Sequence, residues 1–225
     1  MKLITFQTRE ALDTLQNTGI LTAEVPYIDL QKYGVPYNWM VNEMKNKNIC
    51  PQNKEQYPLW AWAKCGASIA PRKRKNITRE IQNVVKIVFE KADKDILLSD
   101  YMAYSFLLSG HIVPQNQQEY KKFLDEMERQ NISLEELKDF VRSKYVKPNT
   151  IKQFSKIKKT WKRIFDLKSR VYQACVWNIK MSEVLKIEIL NDTNYIYGAM
   201  NTKRLDGSRS DWKKKYLQFL PAESK

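Results

Sequence analysis

The chain has 225 residues, of which 43% are hydrophobic and 12% aromatic, enough to build a core in one domain or in one domain with a helical insertion. No apolar run reaches the ~18 residues that a membrane span needs, the N-terminal stretch turns polar at Gln7 and does not read as a signal peptide, and three cysteines (Cys50, Cys65, Cys175) without ligand spacing speak for reduced thiols in a cytoplasm rather than a disulfide or zinc framework. Lys plus Arg total 39 against 25 acids, a formal net charge of +14; the partners this predicts are polyanions, meaning nucleic acid, a nucleotide cofactor or an acidic protein, although abundant Lys, Asn and Ile also fit a biased genome.

In chain order, Leu3 to Gln7 alternates as a first strand, with Leu3, Thr5 and Gln7 on one face and Ile4 and Phe6 on the other. Thr8 caps a helix that buries Ala11, Leu12 and Leu15, and Gly19 supplies its left-handed stop before an extended Ile20–Ala23. Tyr27 to Pro36 reads as a loop. Tyr37, Met40, Val41 and Met44 then follow helical spacing, with Trp39 beside them.

Tyr57-Pro58-Leu59-Trp60-Ala61-Trp62 is the stretch around which the chain is organised. In a strand Trp60 and Trp62 share a face and the small residues take the other. Two indoles of this size are either the middle of a core or the floor of a cleft. Arg72-Lys73-Arg74-Lys75 is an exposed basic turn, either a phosphate grip or a solvated loop. Val84 to Phe89 is a strand and Ile96–Leu98 a short buried or edge strand, followed by a Ser99-Asp100 helix cap.

Tyr101, Tyr104, Leu107 and Leu108 form a helical stripe ended by Gly110. His111, the only histidine, stands without a partner visible in sequence and reads as incidental. Residues from Gln115 to Asp166 look helical almost throughout. Tyr120, Phe123, Leu124 and Met127 make one stripe, and Ser133-Leu134-Glu135-Glu136 is a capping box opening a helix that buries Leu134, Leu137, Phe140 and Val141. Pro148-Asn149 breaks the chain. A long helix is predicted from Thr150, burying Ile151, Phe154, Ile157, Trp161, Ile164 and Phe165. Its other face is basic, with Lys152, Lys156, Lys158, Lys159, Lys162 and Arg163 and no acid before Asp166. Like charges at these spacings repel, so this face is the main candidate for polyanion binding.

Val171 to Ile179 reads as one strand with Gln173, Cys175, Trp177 and Ile179 on a face. A buried amide in that row needs partners, so Gln173 is a structural hydrogen-bonder or a ligand contact. Leu185–Leu190 is a further strand, and residues 191–225 form a basic, aromatic C-terminal extension. The fold expected is α+β: a small mixed or antiparallel sheet within a single domain of residues 1–190, carrying a mostly helical insertion at about 115–166.

Six ordered segments carry a resemblance: Thr5-Phe6-Gln7 with its helix and Gly19; Tyr37-Asn38-Trp39-Met40; Tyr57 to Trp62; Leu97-Leu98-Ser99-Asp100; Thr160 to Asp166; and Gln173-Ala174-Cys175-Val176-Trp177. Together they resemble an uncharacterised bacterial family, domain of unknown function 3841, over roughly residues 3 to 190. A strand with a polar residue, a helix, a glycine and an extended Ile-Leu is also similar to the opening of ADP-ribosyltransferase-type toxins. That second likeness implies an α/β cleft for a nicotinamide dinucleotide (NAD). Gln7, Asp100 and Gln173 would be its catalytic residues, and Thr5, Trp60, Trp62 and Trp177 would line the cofactor. The departure is that no glutamate stands on the Val171–Ile179 strand; Glu183 and Glu188 lie beyond it.

The sequence shows no glycine-rich phosphate loop, no serine-histidine-acid set and no metal ligand set. Three readings compete. One is a transferase-like protein acting on or near nucleic acid. Another is a non-enzymatic module holding nucleic acid or an acidic protein through the long basic helix and the C-terminal tail; the candidate polyanion-binding residues are Arg72, Lys73, Arg74, Lys75, Lys156, Lys158, Lys159, Lys162 and Arg163. The third is a partner-binding protein of a phage–host conflict system.

Overall fold

The computed structural model describes residues 1–23, 30–52, 57–64, 84–142, 144–169 and 171–190. Among them the chain divides into two compact units. The first takes residues up to 23, 43–98 and from 171 onward; the second takes 30–42 and 99–169. The Arg72–Lys75 turn, Cys65 and the 191–225 extension lie outside the described residues.

The first unit is built on a sheet. Strand β1 (Lys2–Gln7) leads into helix α1 (Arg9–Thr18), and β2 (Ile20–Thr22) follows. The predicted punctuation is in place: the Thr8 hydroxyl accepts the Ala11 N–H at 3.2 Å, and Gly19 takes φ 76°, where a side chain would be strained. Strands β3 (Leu59–Lys64), β4 (Val84–Glu90), β5 (Leu97–Asp100), β6 (Tyr172–Val176), β7 (Asn178–Lys180) and β8 (Val184–Leu190) complete the set. The main sheet has the order β5-β6-β3-β1-β4-β8, and β2 pairs with β7 in a second, two-stranded sheet. Strand β1 runs antiparallel to both β3 and β4, β3 to β6, and β4 to β8, so the antiparallel form of the expected α+β sheet is the one adopted.

Register decides which side chains meet. Leu3 faces Phe89, Thr5 faces Ile87 and Gln7 faces Val85, which places them on one side of the sheet. On that side Leu3, Ile87, Phe89, Ala61, Ala174 and Val176 join Leu12 and Leu15 of α1 in the core, and Leu21 and Ile179 of the small sheet close over it. Leu12 and Leu15 are fully buried, a stabilisation of about 1.5–3 kcal/mol each. The predicted Val171–Ile179 strand is in fact two. It breaks at Trp177, and Asn178–Lys180 leaves to pair with β2, so Ile179 enters the core instead of sharing a row with Gln173.

The second unit is helical: α3 (Tyr101–Leu107), α4 (Gln117–Arg129), α5 (Leu134–Val141) and α6 (Pro148–Thr160). Helix α2 (Leu30–Asn46) and strand β5 each cross the division between units. Helix α2 corrects the sequence reading, for it begins at Leu30 and runs through Pro36, a position predicted to be loop. A proline two turns into a helix removes one backbone bond and crowds the carbonyl four residues back, a cost that burial of Trp39 and Met40 opposes. Pro148 does not break the chain but opens α6 at its first position, where the missing N–H costs nothing.

The long predicted helix stops at Thr160 and tightens into a 3-10 turn over Trp161–Asp166. Its buried side is Phe154, Ile157, Trp161 and Ile164, whereas Ile151 is exposed. Ser133 caps α5 as expected, accepting the Glu136 N–H at 3.0 Å. The Glu136 carboxylate does not return the bond; it accepts from the Thr150 hydroxyl and the Lys147 N–H, which fastens the start of α6. Trp161 donates its indole N–H to the His111 carbonyl at 3.0 Å, and Thr160 accepts the Val113 N–H at 2.9 Å.

Candidate functional site

Two surfaces answer to the sequence expectations, one on each unit. On the first unit the sheet face away from α1 is set by two registers, Ile4 opposite Trp62 and Trp62 opposite Gln173. Ile4, Phe6, Trp60, Trp62, Gln173 and Cys175 therefore share that face. Ile4, Phe6, Trp60 and Trp62 are half-buried. Gln173 is only 6% exposed, and its Nε2 is buried with no hydrogen-bond partner among the described residues. Cys175 beside it is fully buried, and burial pushes its thiol well above the ordinary value.

Gln7 and Thr5 sit on the opposite face. Gln7 Nε2 donates to Thr5 Oγ1 at 2.8 Å, and Thr5 Oγ1 donates to the Trp60 carbonyl at 2.9 Å. This short chain pins the backbone that carries Trp60. Thr5 is 2% exposed and lies within the core layer. The register thus keeps Gln7 and Gln173 on opposite faces of the sheet, where one cleft could not hold both. Trp177 is buried and donates its indole N–H to the Ile49 carbonyl at 2.8 Å.

Asp100 belongs to the second unit. It is 1% exposed; one carboxylate oxygen accepts the Ala103 N–H at 3.0 Å as the α3 cap and the other accepts the Ser169 N–H at 2.5 Å. Both oxygens are thus engaged by the backbone, the position of a structural cap. His111 is likewise a core histidine. Its Nδ1 lies 3.0 Å from the Tyr120 hydroxyl, and burial pushes the Tyr120 phenol up to about 12.

The second surface is the outer side of α6 and the turn after it. Lys152, Lys156, Lys158, Lys159 and Lys162 are all exposed. Lys152, Lys156 and Lys159 follow i, i+4, i+7 spacing and form a row roughly 10 Å long at 1.5 Å per residue. Among the described residues none of the five has an ion-pair partner. Elsewhere in the unit Lys121 and Lys122 of α4 are also exposed without an ion pair among the described residues, but most basic side chains are paired. Lys138 and Arg142 pair with Glu135, Lys144 with Asp139, Lys147 with Glu136 and Lys168 with Asp166. Arg163, predicted to join the basic row, is instead half-buried; its Nη1 donates to both Glu119 oxygens at 2.8 Å and to the Val113 carbonyl at 2.8 Å.

Sequence reasoning missed Lys91, which is 6% exposed in the first unit. Its Nζ donates to Glu183 Oε1 at 2.8 Å, Glu183 Oε2 at 2.9 Å and Asn178 Oδ1 at 3.0 Å. Ile49, Cys50, Gln52, Asp95 and Trp177 line a cleft of about 20 Å³ beside it, room for little more than a water. Nothing in the local sequence marks this lysine, because its partners are 87 and 92 residues away. Among the described residues no group of three or more His, Cys, Asp or Glu is placed to hold a metal ion, and no helix is long and apolar enough to cross a membrane.

The model of one family, Domain of unknown function (DUF3841), matches residues 2–185. The chain belongs to the DUF3841 family. No curated protein and no solved structure matches it. The family assignment thus stands, and the likeness to ADP-ribosyltransferase-type toxins gains no support: no such structure matches this DUF3841 chain, its β6 strand carries no glutamate, and Gln7 and Gln173 do not share a cleft.

Proposed function

We propose that this DUF3841 protein is a non-enzymatic nucleic-acid-binding module that holds the phosphate backbone on the lysine row of α6. The observation that carries the reading is the row with its two neighbours: Lys152, Lys156 and Lys159, flanked by Lys158 and, in the turn after α6, Lys162. All are exposed and without ion pairs among the described residues, in a unit where most other basic side chains, Lys121 and Lys122 excepted, are neutralised by carboxylates. Like charges at i, i+3 and i, i+4 cost a helix a few tenths of a kcal/mol per pair. An array kept in spite of that cost is suited to a partner that supplies the missing anions. The net charge of +14 favours the same class of partner at long range.

Each lysine that neutralises a phosphate releases counterions, so log affinity falls linearly with log salt at about −0.9 per contact on duplex DNA and about −0.7 on single strands. The test is a salt titration of labelled duplex and single-stranded oligonucleotides against the wild type and a Lys156→Gln/Lys159→Gln variant. Two lost contacts flatten the duplex slope by about 1.8 and remove roughly tenfold of the affinity change between 50 and 200 mM salt. An unchanged slope sinks the assignment to α6. Saturable binding of an acidic protein, with none of either nucleic acid, replaces the partner class.

A further inference from the structure

We propose that the Trp60/Trp62 face of the first unit is a nucleobase site, in which the ring stacks on an indole and the Gln173 carboxamide bonds to its edge. This goes beyond the lysine row and stands on separate observations. The tryptophans of this chain that serve as core are buried: Trp161 at 0% exposed, Trp177 at 4% and Trp39 at 8%. Trp60 and Trp62 are different. They occupy successive same-face positions on β3 and keep part of their surface open, with half-buried Phe6 and Ile4 on the neighbouring strand. Such a surface is a stacking platform, since every base presents a π-face to it.

Gln173 supplies the second observation. It is the Cα partner of Trp62, it is more than nine-tenths buried, and its Nε2 has no hydrogen-bond partner among the described residues. Leucine or methionine would fill the same volume without leaving a donor unmet, and the neighbouring position, Cys175, is apolar in just that way. Thr5 and Gln7 of β1, beyond β3 and on the opposite face, each by contrast donate a hydrogen bond. A carboxamide held beside two indoles has the donor–acceptor fork that pairs with the edge of a base, as in the bidentate contact of glutamine to adenine. A lipid chain offers no such edge, and the chain's positive charge suits a nucleotide.

The probes are adenosine, guanosine, cytidine and uridine, which carry no phosphate and so gain nothing from α6. Each is titrated into the full chain while tryptophan emission and the Gln173 side-chain amide resonance in a ¹H–¹⁵N spectrum are followed. At least one nucleoside is expected to quench emission and shift that resonance saturably. Gln173→Leu should weaken the binding by about tenfold, the worth of one hydrogen bond, with no fall in melting temperature, because the substitution removes an unmet donor. The proposal is overturned if no nucleoside moves the Gln173 resonance of the wild type up to its solubility limit, or if quenching occurs while Gln173→Leu binds equally well. Should Gln173→Leu not fold, the wild-type resonance and a Trp62→Leu variant decide. The Lys156→Gln/Lys159→Gln variant keeps its nucleoside binding, so failure of this site and failure of the lysine row are read separately.

Discussion

Glu183→Ala isolates the cost of leaving an ammonium buried without its counter-ion. Lys91 is 6% exposed, and Glu183 provides two of its three hydrogen bonds while also accepting the Lys180 N–H at 2.9 Å. Removing one partner of a buried pair costs about 3–5 kcal/mol. Glu183 is itself 22% exposed and Asn178 still solvates the ammonium, so the loss falls at or below the bottom of that range, about 2–3 kcal/mol. For a chain of this size that is a fall in melting temperature of about 4–12 °C. Lys91→Met removes the stranded charge, so the double variant Lys91→Met/Glu183→Ala should lose less than Glu183→Ala alone. Urea unfolding followed by circular dichroism gives the four corners of the cycle. A single-variant loss under about 0.5 kcal/mol, or simple additivity in the cycle, would refute the reasoning.

Gly110→Ala should be among the most damaging small substitutions. Gly110 has φ 69°, and a Cβ there would lie 2.5 Å from the Leu137 carbonyl oxygen, backbone that cannot turn away. A loss of about 3 kcal/mol or more is expected in urea unfolding, and a loss below about 1 kcal/mol would contradict the close approach to the Leu137 carbonyl. Tyr120 gives a pH prediction. Its phenol is raised from 10 to about 12 by burial, so its contribution is complete below pH 10 and is lost as pH rises through about 12. Alkaline unfolding followed at fixed temperature should therefore lose part of its pH dependence between about 10 and 12 in Tyr120→Phe; an unchanged profile would show that Tyr120 is not the group responsible.

Local chemistry was legible in the sequence where one short stretch contains the whole interaction. The Thr8, Asp100 and Ser133 caps and the Gly19 stop each depend on neighbours within a turn or two, and each is where its residues predict. What depends on distant register was not legible. The alternation of β1 puts Gln7 on one face and that of β6 puts Gln173 on one face, but only the pairings Ile4–Trp62 and Trp62–Gln173 decide that the faces are opposite. The same limit hid the departure of Ile179 into the small sheet and the burial of Lys91. The exposure of Lys152, Lys156, Lys158, Lys159 and Lys162 was legible, since helical spacing is local, although the helix ends at Thr160 and Ile151 is exposed. Arg163 was the exception, because Glu119 reaches it from another helix.

The central claim, that nucleic acid is held on α6, is met most directly by formaldehyde cross-linking of the full chain to a single-stranded and a duplex oligonucleotide, with the modified lysines mapped by mass spectrometry. The expected adducts fall on Lys152, Lys156, Lys158, Lys159 and Lys162 and disappear as salt is raised. Adducts confined to residues 72–75 or 191–225, or none above a serum-protein control, would contradict it.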